Sequence, residues 1–381
     1  MKNDNQSTKP FFRRDSFAGI LMLVCAAVSL ALSNTSLGTY YQWLWNYSLM
    51  GHPVAHWIND GLMAVFFLLI GLEMKRELLV GQLRTFDRAM LPAVAAIGGM
   101  VLPALIYLSF NYGQPTQNGF AIPLSTDIAF VVGVLALLGD KVPASLHVLL
   151  TSLAVVDDLG AILVIALFYT DDLQFPFLIA AGLATLLLLI LNRWFHINRT
   201  WVYGMGGIAL WLLVMESGIH SSITGILLAM AVPFRKGAGD APAALWERGL
   251  HKPVYFFVLP LFVLANTAIG IRDTSFSQLW QPHTIGIAVG LLLGKPLGIL
   301  LMSWIVIKLG WSRMPDAIRW RHLLGGGMLC GIGFTMAIFV TLLSFDTPAL
   351  VNSAKLTILL TSTLAAVAGT LTLLTANKKM A

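Results

Sequence analysis

Four ionisable side chains lie deep inside apolar runs: Asp127, Asp157, Asp158 and Lys295. The run around Asp157 and Asp158 reads S-L-H-V-L-L-T-S-L-A-V-V-D-D-L-G-A-I-L-V-I-A-L-F. Twelve residues precede the pair, back to Ser145, and ten follow it, on to Phe168. Such placement puts both carboxylates near the midplane of a bilayer-spanning helix. One Asp there costs roughly 2.5–3.5 kcal/mol on insertion scales, and an adjacent second charge costs more because the two repel. Nothing in folding requires this expense. Residues of this kind pair with one another or line a watered cavity, and they mark ion and proton pathways.

Three acids against one lysine leave two positive charges missing when all are ionised. Two protons or a metal cation could supply them, so protons and a cation would compete for the same oxygens. Exchange of one monovalent ion for two protons moves net charge and responds to membrane potential. Adjacent carboxylates titrate as a coupled pair. Ser125 and Thr126 add hydroxyls beside Asp127, and no Cys or His clusters with them. An all-oxygen set suits hard cations and not zinc or copper. Sodium and lithium fit it, and oxygen ligands alone leave calcium open. A buried Asp–Lys salt bridge without transport would account for Lys295 and one acid, but not for three.

These residues need membrane-spanning helices to hold them. The chain is 57% hydrophobic and 11% charged over 381 residues, against about 25% charged in soluble domains. It reads as one polytopic helical bundle, residues 1–381, with no polar stretch long enough for a second domain. The net charge of +6 reflects cytoplasmic loops of a membrane protein rather than nucleic-acid binding. Cys25 and Cys330 both fall in apolar runs and form no metal motif or disulfide framework. Arg13-Arg14 before the apolar run from Phe17 to Leu32 faintly resembles a secretory signal. No small-residue cleavage site follows, so an uncleaved first span is expected.

A span needs roughly 20 apolar residues. Twelve candidate runs lie near 14–33, 55–80, 90–110, 118–138, 145–169, 174–192, 200–215, 218–232, 251–270, 283–307, 322–345 and 354–376. The even-numbered connections and both termini then hold 21 of the 24 basic residues. The odd-numbered connections hold Arg272 and Lys355, and Lys295 lies inside the tenth run. By the positive-inside rule this places both termini in the cytoplasm, with tails 1–13 and 377–381.

Two runs carry helix breakers at mid-depth. The fourth has Pro123 before Ser125-Thr126-Asp127, and the eleventh has Gly331 and Gly333 before Thr335. Each broken run is the middle member of a triple, spans 3–5 and 10–12, and the two triples enter the membrane from opposite sides. That pattern is expected of inverted-topology repeats with discontinuous helices at a midplane ion site. Opposed half-helix N-termini would favour Asp127, and opposed C-termini would favour Lys295.

Two further regions carry two readings each. Glu73, Lys75, Arg76 and Glu77 end the second run, and Glu247, Arg248, His251 and Lys252 begin the ninth. They are either solvated loop charges or a proton-sensitive network at a cation entrance, with His251 titrating in the physiological range. Asp60 and His220 are equally open. The first external loop, 34–53, carries Tyr40, Tyr41, Trp43, Trp45 and Tyr47. Its residues favour an interfacial aromatic belt, while the alternation T-Y-Y-Q-W-L-W-N-Y would also allow a small hairpin for self-association.

An intramembrane aspartyl protease also buries two acids, but it needs them on different helices and sharing a proton. Here they are neighbours, about 100° apart on one helix. A channel would not call for paired broken helices around a closed charge set.

Several stretches together resemble the NhaA-type bacterial sodium/proton antiporters. They are W-I-N-D-G-L-M-A-V-F-F-L-L-I-G-L-E-M-K-R-E-L from Trp57, P-L-S-T-D-I-A-F from Pro123 and A-V-V-D-D-L-G-A-I from Ala154. G-K-P-L-G-I from Gly294 and G-I-G-F-T-M-A-I-F from Gly331 complete the set. That family is itself a standard example of the inverted-repeat architecture. The resemblance implies an all-α membrane protein of twelve transmembrane helices, with discontinuous helices at spans 4 and 11. It implies electrogenic, pH-regulated export of Na+ or Li+ in exchange for H+ across the bacterial inner membrane. No enzymatic activity and no cofactor are implied.

By the same resemblance, Asp157 and Asp158 carry the cation and protons, with Thr126 beside the Na+. Asp127 and Lys295 compensate the half-helix ends, and Lys295 also pairs with Asp157. Glu73, Glu77 and Glu247 belong to a cytoplasmic pH-responsive funnel, with Arg76, Arg248 and His251 around them. The 34–53 loop becomes a dimerising hairpin in a homodimer. Arg248 stands where some relatives carry histidine, and Glu216 where a basic residue can occur.

Overall fold

Backbone in lipid must pair within its own segment, which restricts spanning structures to helices and closed barrels. This chain takes the helical solution. The computed structural model describes residues 9–170, 173–235, 241–270 and 276–377. The tail residues 1–8 and 378–381, with Lys236 and Arg272 from the charge count, lie outside the described residues. Among the described residues, eight helices are long and apolar enough to cross a membrane, or up to ten if each of two bent pairs is one span. The protein is an all-α polytopic membrane protein.

The chain divides into two compact units. The first comprises Met1–Tyr41, Thr85–Ala161 and Asn266–Ala381; the second comprises Gln42–Arg84 and Ile162–Ala265. In the first unit, α1 (Lys9–Ser33) packs on α6 (Ile128–Leu138), and α5 (Phe86–Asn111) packs on α13 (Pro282–Val289) and α14 (Lys295–Lys308). Helix α15 (Trp320–Cys330) and helix α16 (Phe334–Ser344) meet at a 46° bend, and both pack on α17 (Pro348–Asn377). The closest seam joins α5 to α14. A methyl group added at Gly98 would come within 2.3 Å of the Gly298 carbonyl oxygen, and one added at Gly298 within 2.0 Å of the Gly98 oxygen. Only glycine at both positions lets the two backbones meet.

In the second unit, α4 (Met63–Leu79) packs against α10 (Ile223–Ala231) and α11 (Pro242–Pro253), while α9 (Thr200–Met215) packs between α8 (Phe175–Arg193) and α10. A π-helical turn at Val254–Val258 follows Pro253 and leads into α12 (Leu259–Asn266). A similar turn, Ile58–Leu62, joins the short α3 (Val54–Trp57) to α4. Helix α7 (Ala144–Phe168) carries the aspartate pair; its residues up to Ala161 belong to the first unit.

Three elements depart from the sequence expectations. The aromatic stretch of the first loop is not a strand: Gly38–Asn46 forms helix α2. Its Tyr41 hydroxyl donates to Ser29 Oγ at 3.0 Å. A hairpin does follow, but with two residues per strand, β1 (Ser48–Leu49) and β2 (His52–Pro53). The turn between them uses left-handed backbone at Met50 and Gly51, φ 53° and 90°. The run at 218–232 yields only a nine-residue helix, α10. Gly218, at φ 82°, turns the chain before it, and Pro233 restricts Val232 to extended backbone after it. Lys355, counted as a connection residue, lies inside α17 and is 8% exposed.

Candidate ion-binding site

The fourth apolar run breaks where Pro123 cannot donate a backbone hydrogen bond. Residues Gln117–Leu124 wind as a 3₁₀ helix rather than an α-helix, Ser125-Thr126-Asp127 are extended, and α6 begins at Ile128. The eleventh run breaks at Gly331–Gly333, between α15 and α16. A side chain at Gly331 would strike the Leu291 carbonyl at 2.5 Å, so glycine permits the close approach. The two breaks cross and bond directly. Asp127 N–H donates to the Ile332 carbonyl at 2.7 Å, and the Thr126 hydroxyl donates to the Cys330 carbonyl at 3.0 Å. The rings of Phe130 and Phe334 meet edge to face at 4.6 Å beside the crossing.

Asp127 caps both downstream half-helices. Its Oδ1 accepts from Phe130 N–H at 3.2 Å in the first turn of α6. Its Oδ2 accepts from Thr335 N–H at 3.1 Å in the first turn of α16, and from the Thr335 hydroxyl. Each helix N-terminus presents about half a positive charge, so two together match one carboxylate.

Lys295 opens α14 after a π-helical turn at Gly290–Gly294. Its ammonium donates to Asp157 Oδ2 at 2.7 Å and to the Leu124 carbonyl, at the end of the 3₁₀ segment. The other upstream half-helix, α15, is met differently: its Cys330 carbonyl takes the Thr126 hydroxyl, not the lysine. Lys295 and Asp157 are fully buried, and Asp158 is 1% exposed. Thr126 lies against Asp157. Asp157 Oδ1 and Ser125 Oγ are buried without hydrogen-bond partners. Leaving such atoms unmatched costs about 1–3 kcal/mol each, more for a charged group. Unmatched oxygens beside an adjacent carboxylate form a donor set of the kind that takes a hard cation.

The charged cluster of the second unit comes together in part. Arg76 bonds Glu247 through Nη1, and its Nη2 lies 3.7 Å from Glu77. Glu77 Oε2 also accepts from Gln82 N–H at 3.0 Å, closing the end of α4. Arg248 is exposed, Glu73 is half-buried, and the His251 ring packs on Tyr255 at 4.6 Å. Asp60 lies between two imidazoles, 3.8 Å from His56 Nε2 and 3.6 Å from His220 Nε2.

Two sets of contacts carried no sequence signal. Lys75 donates to three carbonyls at the C-terminal end of α10: Ala229 at 3.1 Å, Met230 at 2.8 Å and Val232 at 2.6 Å. His283, buried on α13, pairs its Nε2 with Ser353 Oγ at 2.9 Å. Both use backbone or hydroxyl partners that no charge pattern discloses.

Known proteins share this chain over nearly its whole length. A Na+/H+ antiporter NhaA of Dechloromonas aromatica is 49% identical over 355 residues, covering 92% of this chain and 91% of that protein. A Na+/H+ antiporter NhaA 1 of Flavobacterium johnsoniae is 47% identical, covering 97% and 98%. One named Na+/H+ antiporter NhaA from Vibrio parahaemolyticus is 46% identical, covering 96% of each. Residues 9–373 match the family model described as Na+/H+ antiporter 1. With that match spanning both broken helices, the aspartate pair and Lys295, the chain belongs to the Na+/H+ antiporter 1 family.

Proposed function

We propose that this protein is a secondary active sodium/proton antiporter, exporting Na+ and accepting Li+, by alternating access at the Asp157–Asp158 site. One observation carries the reading. Asp157 holds Lys295 with one oxygen while its other oxygen is buried without a partner, next to a second buried carboxylate. The set binds a small hard cation or protons, and the two exclude each other because they use the same oxygens. Asp127 is the fixed charge of the crossing: its oxygens are committed to two helix N-termini, leaving Asp157 and Asp158 to change occupancy. Ser125 and Thr126 supply neutral oxygens to the ion.

The cycle is electrogenic. One proton leaves the carboxyl pair, and a second leaves the Asp157–Lys295 pair when the cation takes the Asp157 oxygens. Two protons against one ion move one net charge, about 2.3 kcal/mol per 100 mV. The bundle acts as one antiporter domain, 1–381, in the bacterial inner membrane. It crosses twelve times, counting the short α9 and α10, with spans 3–5 and 10–12 as inverted repeats and both termini cytoplasmic. Supporting this topology are the basic-residue asymmetry and the matching positions of the two breaks. Glu73, Arg76, Glu77, Glu247, Arg248 and His251 set the pH response at the cytoplasmic mouth, supported by the Arg76–Glu247 and Arg76–Glu77 contacts. A homodimer forms through residues 34–53, whose exposed Tyr40, Trp43 and Leu44 share one face of α2, with exposed Tyr47 following its end.

The test is sodium-induced proton movement in everted membrane vesicles, with Asp157→Asn and Asp158→Asn beside the parent. The parent releases protons from the acidified interior on addition of Na+ or Li+, and each single variant loses this response. Absence of any sodium-dependent pH change in the parent, or normal exchange in both variants, overturns the reading.

A further inference from the structure

The tenth apolar run is helical from Pro282 to Lys308 without interruption, yet Pro296 lies inside it. A proline within an α-helix lacks the N–H that would bond the carbonyl four residues back, and its ring collides with that carbonyl. Here the carbonyl is that of Leu292. The helix escapes the collision by widening one turn. Gly290–Gly294 is π-helical, and the Lys295 N–H donates to the Gly290 carbonyl, five residues back, instead of to Leu291. Such a turn holds one residue more than an α-turn, and π-turns recur at functional sites.

The widened turn lies against both broken helices. A methyl group added at Gly290 would come within 2.9 Å of Pro123 Cβ, at the break in the fourth run. Leu291 meets the break in the eleventh run twice. Its carbonyl oxygen would lie 2.5 Å from a methyl group at Gly331, and its Cδ2 3.2 Å from one at Gly333. Its own helix leaves that carbonyl to Gly331, because Gly290 takes the Lys295 N–H and Pro296 has none to give. Lys295 follows the turn directly and reaches Asp157 and the Leu124 carbonyl. Further along, α14 is fixed to α5 where Gly98 and Gly298 meet. These contacts demand one relative facing of Gly290–Leu291 and α14. Closing the wide turn to an α-turn would rotate the two parts against each other by about 100°, one residue of α-helix.

We propose that Pro296 is a positioning residue for exchange. By forcing the wide turn, it keeps Gly290 and Leu291 on the two breaks while α14 stays on α5, so that Lys295 meets Asp157 and Leu124 together. It acts through Lys295 and through the segment at Gly331, whose neighbour Cys330 holds the Thr126 hydroxyl on its carbonyl. This deepens the exchange reading and rests on it.

The experiment titrates sodium-driven proton movement in everted vesicles holding the full-length protein, with thermal unfolding of the same purified variants. Pro296→Ala supplies the missing N–H and removes the ring. It keeps the Cα and Cβ that pack on α15, which would lie 3.1 and 3.4 Å from a methyl group at Gly327. Its apparent KM for Na+ should rise about fivefold or more, with the maximal rate within about twofold of the parent and the melting temperature not lowered. A second variant adds deletion of Leu293, whose side chain is 55% exposed. Gly290 and Lys295 are then four residues apart, so an ordinary α-turn restores the parent facing. This double variant should return the KM to within about twofold of the parent, a coupling that two independent lesions would not show. With an active parent, an unchanged KM in Pro296→Ala overturns the proposal, and so does a double variant no better than Pro296→Ala. A fall in melting temperature and maximal rate with the KM unmoved overturns it too, and leaves Pro296 a packing role alone. Where Pro296→Ala yields no folded protein, the double variant decides: recovered folding and exchange support the proposal, and their absence overturns it. A parent without sodium-dependent exchange defeats the exchange reading and this proposal together.

Discussion

Lys295 Nζ lies 2.7 Å from Asp157 Oδ2 with both side chains fully buried. Removing one partner of a buried pair strands the other charge and costs about 3–5 kcal/mol, whereas replacing both is far milder. Lys295→Met should therefore lower the melting temperature sharply, and Lys295→Met with Asp157→Asn should recover most of the loss. Thermal unfolding of the purified single and double variants checks this. A double variant less stable than Lys295→Met would show that the pair is not the dominant interaction.

Asp127 joins the ends of two helices, so its loss should act first on stability. Removing an N-cap acceptor costs about 0.5–2 kcal/mol, and here α6 and α16 lose theirs together. Asp127→Ala should destabilise by about 1–4 kcal/mol and weaken apparent sodium affinity while leaving detectable exchange, because Asp157 and Asp158 remain. Unfolding curves and sodium titrations in vesicles separate the two effects. Complete loss of exchange in a folded Asp127→Ala protein would instead assign Asp127 to the transported ion itself.

The Gly98–Gly298 seam predicts a steric result. Gly298→Val forces apart two backbones whose separation leaves no room for a methyl group, and should cost at least the 1–3 kcal/mol typical of overpacking. It should also impair exchange, since Lys295 sits one turn away on α14. Gly182→Val, in open space, should stay within about 0.5 kcal/mol of the parent. Equal stability of the two variants would refute the seam.

Arg76 is 46% exposed and Glu247 14%, so their ion pair should add under about 1 kcal/mol to stability. Its proposed role is in pH response. Arg76→Gln should move the pH profile of exchange while hardly changing the melting temperature, and the swap Arg76→Glu with Glu247→Arg should bring the profile part of the way back. An unmoved profile in Arg76→Gln would return this cluster to ordinary surface charge.

Lys75 offers a contrasting case. Its three carbonyl partners close the C-terminal end of α10, and Lys75→Met would leave buried acceptors unmet at about 1–3 kcal/mol. The expected outcome is a lower melting temperature with an unchanged pH profile, measured on the same preparations.

How far the sequence disclosed this protein depends on the kind of partner each residue has. Asp127, Asp157, Asp158 and Lys295 stood out because a charge in an apolar run has few affordable explanations, and Pro123 and the Gly331–Gly333 pair marked the breaks beside them. Lys75 stood in the charged cluster, but its partners were hidden because they are backbone carbonyls, which every residue carries. The hydroxyl of Thr335 was likewise visible only as a neighbour of Gly333, and not as a ligand of Asp127. The first loop misled because Tyr, Trp and Leu in alternation satisfy a strand, while the same residues at spacings of three and four cover a helix. Lys355 was assigned to a connection because charge count alone does not reveal how deeply a helix begins.

Where Gly98 and Gly298 meet, the seam between α5 and α14 is backbone against backbone and has no side chain of its own to repack. Ordinary helix contacts slide by swapping rotamers; a backbone-on-backbone joint must hold or come apart. These two helices therefore travel as a single rod through any rearrangement, and Lys295 rides on it. The lysine is a passenger whose position is set by a part that has no gears.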